Sequence, residues 1–409
     1  MDLSRKKPKL EEKQSMSKQL GNQARDLKEE EEKKNKEDPK NAISFHVHSK
    51  DNRNCKLRVG VNPDSSLLIR QLDQDIAIHC LLLLSRSDYG SIATLNKTFQ
   101  SLIRTGQLYQ LRRKMGIVEH WIYFSRDSFQ WEAFDPNRGR WMNLPGITCD
   151  ASFMLSYNDS LAVGTELLVF GTNNSMAPII YKYSHLTNTW SIGSMLNTPR
   201  CLFGSASLGE IAIVVGGLDL RGNILSSAEL YNLDTEKWET LPSMKKARHK
   251  CSAVFMDGKF YVIGGMSDDN ITHLTCGEEF DLKTREWREM PNIFPIGSTL
   301  PSFGSPPLIA VVKNVLYVAD YAQQEVKKYV KENNSWVTIG RFPEQVSSMN
   351  GWGVGFRACG DMLVFLGGPD RGRMMKINAW VPNDGALQWN LLGTKESWSF
   401  VHYCTVMGC

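Results

Sequence analysis

The sequence predicts a mainly β protein, a six-bladed β-propeller closed by its C-terminal strand and preceded by a small all-α module and a disordered, charged N-terminal tail. Three observations predict it. An aromatic residue stands seven positions before a tryptophan five times over, as Phe134 and Trp141, Tyr183 and Trp190, Tyr231 and Trp238, Phe280 and Trp287, and Tyr329 and Trp336; a sixth pair, Trp380 and Trp389, is two residues longer. The six downstream tryptophans lie 49, 48, 49, 49 and 53 residues apart, a period that marks repeated supersecondary units. Each period also carries two hairpin signatures, and units of four antiparallel strands at this period form a radial ring.

The tail comes first. The first forty residues hold twelve Lys or Arg and ten Asp or Glu, with almost no aromatic or β-branched residues. Such a segment cannot bury enough apolar surface to offset its ordering entropy, so residues 1–62 are expected to be disordered. Lys6, Lys7 and Lys9 form a basic cluster similar to a nuclear import signal, a pattern that a solvated charged tail also produces by chance. No apolar signal-peptide core is present, and no apolar run approaches the ~18 residues of a membrane span. His46 and His48 share one side of an extended strand but have no third ligand nearby in the sequence, so no metal site is read from them.

Residues 63–116 read as a helical module. Ile76, Cys80 and Leu83 mark one helical face, and Ile92, Leu95, Phe99 and Leu102 mark another. Asp73 can cap the first helix and Ser87 or Asp88 the second, while Gly116 stops a third that buries Leu108, Leu111 and Met115. A module this small is marginal alone and needs cover from the ring or a partner.

Residues 117–409 hold the six repeats. From Cys251 the chain runs CSAVFMDGKFYVIGG, two β runs joined by Asp257-Gly258, a tight-hairpin signal. TCGEEFDL and REWREM follow, with Lys283, Thr284 and Arg285 as the tip of a second hairpin. The first unit starts at WIYF, Trp121 to Phe124, without a strand before it, and the chain ends on a surplus strand, Trp398 to Met407. The surplus strand is expected to fill the gap in the first blade. The spaced aromatics are expected to insert between neighbouring sheets; one such ring removes about 150 to 250 Å² from water, roughly 4 to 6 kcal/mol as an upper bound. Trp141, Trp190, Trp238, Trp287, Trp336 and Trp389 are therefore read as structural core.

Two resemblances follow. Gly216-Gly217, Gly264-Gly265 and Gly367-Gly368, each followed by the aromatic-turn-Trp phrase, resemble kelch repeats, although the doublet is replaced by Phe124-Ser125, Phe170-Gly171 and Val318-Ala319 in the first, second and fifth units. The stretch IRQLDQDIAIHCLLLLSRSDYGSIATLNKTFQSLI, residues 69 to 103, resembles an F-box, and the order of the two is similar to plant F-box/kelch-repeat proteins. Asp73 and Ser85 stand where F-boxes commonly carry proline.

The resemblance implies a substrate receptor of an SCF-type ubiquitin ligase, with the F-box binding a Skp-type adaptor and through it cullin and RING subunits. It places Leu72, Asp75, Ile76, Cys80, Leu81 and Leu84 at adaptor-binding positions. The propeller then holds a target protein, and the chemistry belongs to other subunits. Candidate target-binding residues lie in the non-repeating insertions: Arg221, Arg371 and Arg373 after the glycine doublets, and Arg200, Arg248 and Trp352 before the first strands. Arg and Trp are enriched at hot spots, yet an arginine before such a strand can equally bind backbone carbonyls at a blade edge.

An enzyme is not indicated. No Asp-box, nucleophile elbow, P-loop or HExxH motif appears, and no cofactor is implied. The nine cysteines form no C-x-x-C pair, which fits a reducing intracellular compartment, nucleus or cytoplasm. A net charge of +4 over 409 residues carries no basic stripe for nucleic acid. A scaffold kelch protein that binds its partner without an adaptor is the alternative, with the helices as a mere cap.

Overall fold

The computed structural model describes residues 73–409 except 96, 126–129, 150–152, 154–158, 174, 176, 268–272, 296–303, 344–349, 369–373, 384 and 398–399. Six four-stranded antiparallel sheets form the ring. The third blade, Gly204–Leu208, Ile211–Val215, Ala228–Asn232 and Lys237–Leu241, and the fourth, Ser252–Met256, Lys259–Ile263, Gly277–Asp281 and Glu286–Met290, follow the repeat pattern most closely. The strand Tyr403–Gly408 joins His120–Ser125, Trp131–Asp135 and Arg140–Asn143, so the chain end completes the first blade as expected. It begins five residues later than Trp398, which lies outside the described residues. First, second and fifth units form full blades despite lacking the doublet, because strand pairing needs the apolar alternation and turns, not the glycines.

Among the described residues six hydrophobic clusters form the core; five are made from the facing sides of neighbouring blades, and the sixth joins the first and second blades to the helical module. The spaced aromatics explain how. Phe134, Tyr183, Tyr231, Phe280 and Tyr329 lie directly opposite Trp141, Trp190, Trp238, Trp287 and Trp336 in the cross-strand register. Their ring centroids are 4.6 to 5.3 Å apart, the distance of tilted, favourable ring pairs. The tryptophans also clamp adjacent blades: the indole N–H groups of Trp190, Trp238, Trp287 and Trp389 donate to the carbonyls of Pro145, Ser194, Pro242 and Arg341 at 2.8, 3.0, 2.7 and 2.9 Å. The sixth pair differs. Ala379 lies opposite Asn390, so the two extra residues sit in the connection between the strands, and Trp380 and Trp389 pack on Tyr317 and Phe365.

The doublets are backbone devices. Gly216 and Gly217 have φ of +66° and +93°, and a Cβ on them would lie 2.3 Å from the Arg248 carbonyl oxygen and 2.5 Å from that of Cys201. Only glycine accepts both conditions. Burial pushes the Cys251 and Cys404 thiols up to about 11 and Cys359 to about 12, so these residues act as small apolar groups.

Among its described residues the helical module has four helices rather than three: α1 Gln74–Leu83, α2 Tyr89–Ala93, α3 Lys97–Arg104 and α4 Gln107–Lys114, with a 3₁₀ turn at Arg86–Asp88. α2 ends early because Thr94 and Leu95 close back on the Ser91 and Ile92 carbonyls and the Thr94 hydroxyl donates to Ser91, a local bond that competes with the helix ladder. Asp73 caps α1, accepting from the Asp75 N–H at 3.0 Å. Asp88 makes no side-chain cap to α2; its carboxylate goes to Arg138 and Arg140 at 2.7 and 3.1 Å. Gly116, at φ +70°, ends α4 as expected; Leu108 is buried as expected and Leu111 partly so, but Met115, expected inside, is exposed at the C-terminal end of the helix. Among the described residues no helix is long and apolar enough to cross a membrane.

Candidate functional site

α1 carries apolar residues on both sides. Ala77, Ile78, Leu81 and Leu82 face inward against Leu108 and Tyr109 of α4 and the rest of one cluster. Ile76, Cys80 and Leu83 form the opposite stripe, with Ile76 52 % and Leu83 73 % exposed. Leu84, 38 % exposed, follows it directly in the chain. An α-helix buried on one side needs only one apolar stripe, so the second is surplus to the fold.

Of the expected adaptor-binding residues, Asp75, Ile76, Cys80 and Leu84 are exposed in or beside this edge, whereas Leu81 is in the core of the module. Leu81 supports the edge from within and cannot itself touch a partner. Leu72 lies outside the described residues. Leu83 belongs to the edge and was not among the adaptor-binding candidates.

The module is bonded to the ring through a buried joint. The Glu119 carboxylate accepts from the Ser85 hydroxyl at 3.0 Å, the Arg86 N–H at 3.1 Å and the Arg112 guanidinium at 2.8 Å. Arg112 also donates to the Leu82 and Leu84 carbonyls, satisfying the open end of α1 with a cation where the helix dipole favours one. The Arg86 guanidinium lies 3.9 Å from the Trp121 ring centroid and donates to the Met407 carbonyl. His185 of the second blade is bonded by the Tyr109 hydroxyl at 3.0 Å and the Tyr123 hydroxyl at 3.3 Å. Burial, and then the Arg86 charge, hold its imidazole well below the usual range, so it is a neutral connector between α4 and the ring. Arg113 pairs with Glu210 of the third blade. Ser85 and Asp73, where proline was expected, thus hold their turns with side-chain hydrogen bonds instead.

Chain direction fixes which side of the ring is which. In the second to sixth blades each first strand runs to a tight turn, such as Gly164, Gly209 or Gly258, and each second strand returns to the opposite face. The module touches Glu210, His185, Arg138 and Met407, all on the tight-turn face. Arg200, Arg221, Arg248 and Trp352 sit in the long connections at the opposite face.

Two of those four are corrected by their surroundings. Arg200 and Arg248 are buried, and their guanidinium groups pair with Glu229 at 2.7 Å and Glu278 at 3.0 Å. Arg200 also donates to the Gly216 and Ser227 carbonyls, Arg248 to those of Gly264 and Cys276. They are braces at the blade edge and offer nothing to a target. The arginines are 48 residues apart and the glutamates 49, so the repeat period itself carried the signal that these are structural. Arg221 is exposed, and Trp352, 38 % exposed, borders the central channel. Arg371 and Arg373 lie outside the described residues, as do the tail with Lys6, Lys7, Lys9, His46 and His48.

Comparison with known proteins agrees with this architecture. The Kelch motif matches residues 199–245 and 247–293, the two repeats with buried Arg–Glu braces. The chain is 53 % identical over 357 residues to F-box/kelch-repeat protein At1g74510 of Arabidopsis thaliana, covering 83 % of this chain and 79 % of that protein. It is 52 % identical over 359 residues to F-box/kelch-repeat protein SKIP11 of the same plant, covering 86 % and 77 %, and 50 % identical over 360 residues to F-box/kelch-repeat protein At1g26930, covering 86 % and 85 %.

Proposed function

The chain belongs to the family of F-box/kelch-repeat proteins, and from that premise we propose that it is the substrate-recognition subunit of an SCF-type ubiquitin ligase. The F-box helices bind a Skp-type adaptor and, through it, cullin and RING subunits; the propeller binds a target protein. The chain itself is non-catalytic and works by proximity, raising the effective concentration of a transferable ubiquitin near the target. It acts inside the cell, in nucleus or cytoplasm.

The observation that carries this reading is the surplus apolar edge of α1, Ile76, Cys80, Leu83 and Leu84, presented outward while the inner stripe alone satisfies the fold. The two-faced layout supports it. Helices bonded to the tight-turn face leave the long-loop face for a second protein, and the half-buried Glu119 joint ties the helices to the ring. The same joint also suits the alternative, a scaffold whose helices cap the ring.

Paired variants separate the readings. Ile76→Asp with Leu83→Asp places charges only on the exposed edge; purified Skp-type adaptor should bind the wild type and Trp352→Ala/Arg221→Ala but not this variant, with its melting temperature unchanged. A folded Ile76→Asp/Leu83→Asp chain that retains the adaptor fully would remove the proposed role of this edge.

A further inference from the structure

The ring axis holds a channel of about 720 Å³ lined by the first strands of the blades, within the size range of small-molecule sites. Its wall is mixed. Phe255 and Trp352 supply aromatic surface, Ser205 and Ser252 supply hydroxyls, and two of its ionisable groups, Asp159 and Arg357, stand on blades separated by the closing strand; His120, His402 and Arg113 also line it.

The arrangement of those two charges is unusual for a structural pair. Arg357 donates through Nε to the Cys404 carbonyl at 2.9 Å and through Nη1 to its neighbour's carbonyl at Phe356, 3.0 Å away. These bonds fix the guanidinium, while Nη2 has no protein partner among the described residues. Asp159 accepts from the Ser160 N–H at 2.7 Å and the Ser205 hydroxyl at 3.4 Å. The two side chains feel each other through space without closing into an ion pair. Elsewhere the ring pairs such groups directly, as in Arg200 with Glu229, Arg248 with Glu278 and Lys327 with Asp320, and Arg113 at the channel's other mouth is already paired with Glu210. An anion and a cation held apart across one enclosure leave electrostatic stabilisation that a bridging molecule can supply. Burial pushes the Asp159 carboxyl up to about 6, against the pull of the Ser160 N–H, Arg357 and the Ser205 hydroxyl, which agrees with a group short of stabilising partners.

We propose that this channel is a binding site for a small monocarboxylate bearing a hydrogen-bond donor, a hydroxy acid or an amino acid, with its carboxylate on Arg357 and its donor on Asp159. The apolar part of the ligand lies along Phe255 and the aliphatic wall. The site is independent of the α1 edge and does not rest on the ligase reading.

Mandelate, an aromatic hydroxy acid, is the probe, titrated calorimetrically into the full-length chain beside phenylacetate, which lacks the hydroxyl, and benzyl alcohol, which lacks the carboxylate. Mandelate should bind at around millimolar concentration, as its size allows. Arg357→Gln should weaken it about tenfold or more, since a charge-assisted bond is lost; Arg357→Lys should recover part of the affinity because the charge remains without the fork. Asp159→Asn should weaken mandelate several-fold and leave phenylacetate unchanged. A melting curve for each variant confirms that the ring is intact. Failure of mandelate to bind the wild type, or equal binding by folded Arg357→Gln, overturns the assignment.

Discussion

Arg248→Met offers a stringent test of how the repeats are held together. Glu278 and the Arg248 guanidinium are both shielded from solvent, and the carboxylate has three partners: Arg248 at 3.0 Å and the Lys245 and Lys246 N–H groups at 2.8 and 3.1 Å. Methionine fills the arginine's volume but leaves a buried carboxylate without its cation, and also frees the Gly264 and Cys276 carbonyls. Breaking a buried pair from one side costs about 3–5 kcal/mol, a large fraction of the ~5–15 kcal/mol that holds a typical protein folded. In the double variant Arg248→Met/Glu278→Gln the charge is gone and the amide oxygen can still accept from the two backbone N–H groups. Its cost should fall to about 1–3 kcal/mol, the worth of the carbonyls left open. Urea unfolding followed by tryptophan fluorescence measures the cycle, with Arg200→Met and Arg200→Met/Glu229→Gln as an internal repeat. A double variant as unstable as the sum of its singles would show that the two groups do not act as a pair, and the brace argument would fail.

Trp238→Phe keeps a ring between the second and third blades but loses the N–H bond to Ser194, so calorimetry should show a loss of about 1 kcal/mol against about 3–5 kcal/mol for Trp238→Ala. Ending the chain at Ser397 removes the six-residue pairing with His120–Ser125 and the Trp131–Tyr403 stack at 5.6 Å; the truncated chain should lose its cooperative melt, and a synthetic peptide of residues 400–409 should restore part of it. Asp159 protonates near pH 6 when folded and near 4 when unfolded, so its contribution favours the native state below about pH 4 and is lost as the pH rises through 6. Asp159→Asn should therefore raise stability at pH 7.5 by about 1–2 kcal/mol, after discounting for channel water, and change little at pH 4; equal gains at both pH values in thermal melts would rule out this origin.

Much of the ring is legible in the sequence because its signals are periodic. The aromatic pairs, the Asp257-Gly258 turn and the missing first strand each state a geometric need that only a closed ring of six sheets meets, and the closing strand pairs where the surplus required. The sixth pair was legible too: Ala379 lies opposite Asn390, so its two extra residues fall in the connection between the two strands and lengthen the turn. Arg200 and Arg248 suggested a binding surface because each arginine taken singly gives no sign of its partner; Glu229 and Glu278 lie some thirty residues away, on the third strands of their blades, and only the shared repeat period links them. On α1 the stripe of Ile76, Cys80 and Leu83 was visible, but a helix apolar all round does not disclose which stripe packs inward. That depends on α4 and on Glu119, Arg86 and Arg112, whose joint spans separate parts of the chain.

The account stands most directly on the outward edge of α1. Calorimetric titration of purified Skp-type adaptor into the full-length chain and into Ile76→Asp/Leu83→Asp measures it. The account predicts a stoichiometric complex with the wild type and at least a hundredfold weaker binding by the variant, about 2.7 kcal/mol or more, at an unchanged melting temperature. A folded wild-type chain that gives no complex with the adaptor would contradict it and leave the helices as a cap on the ring.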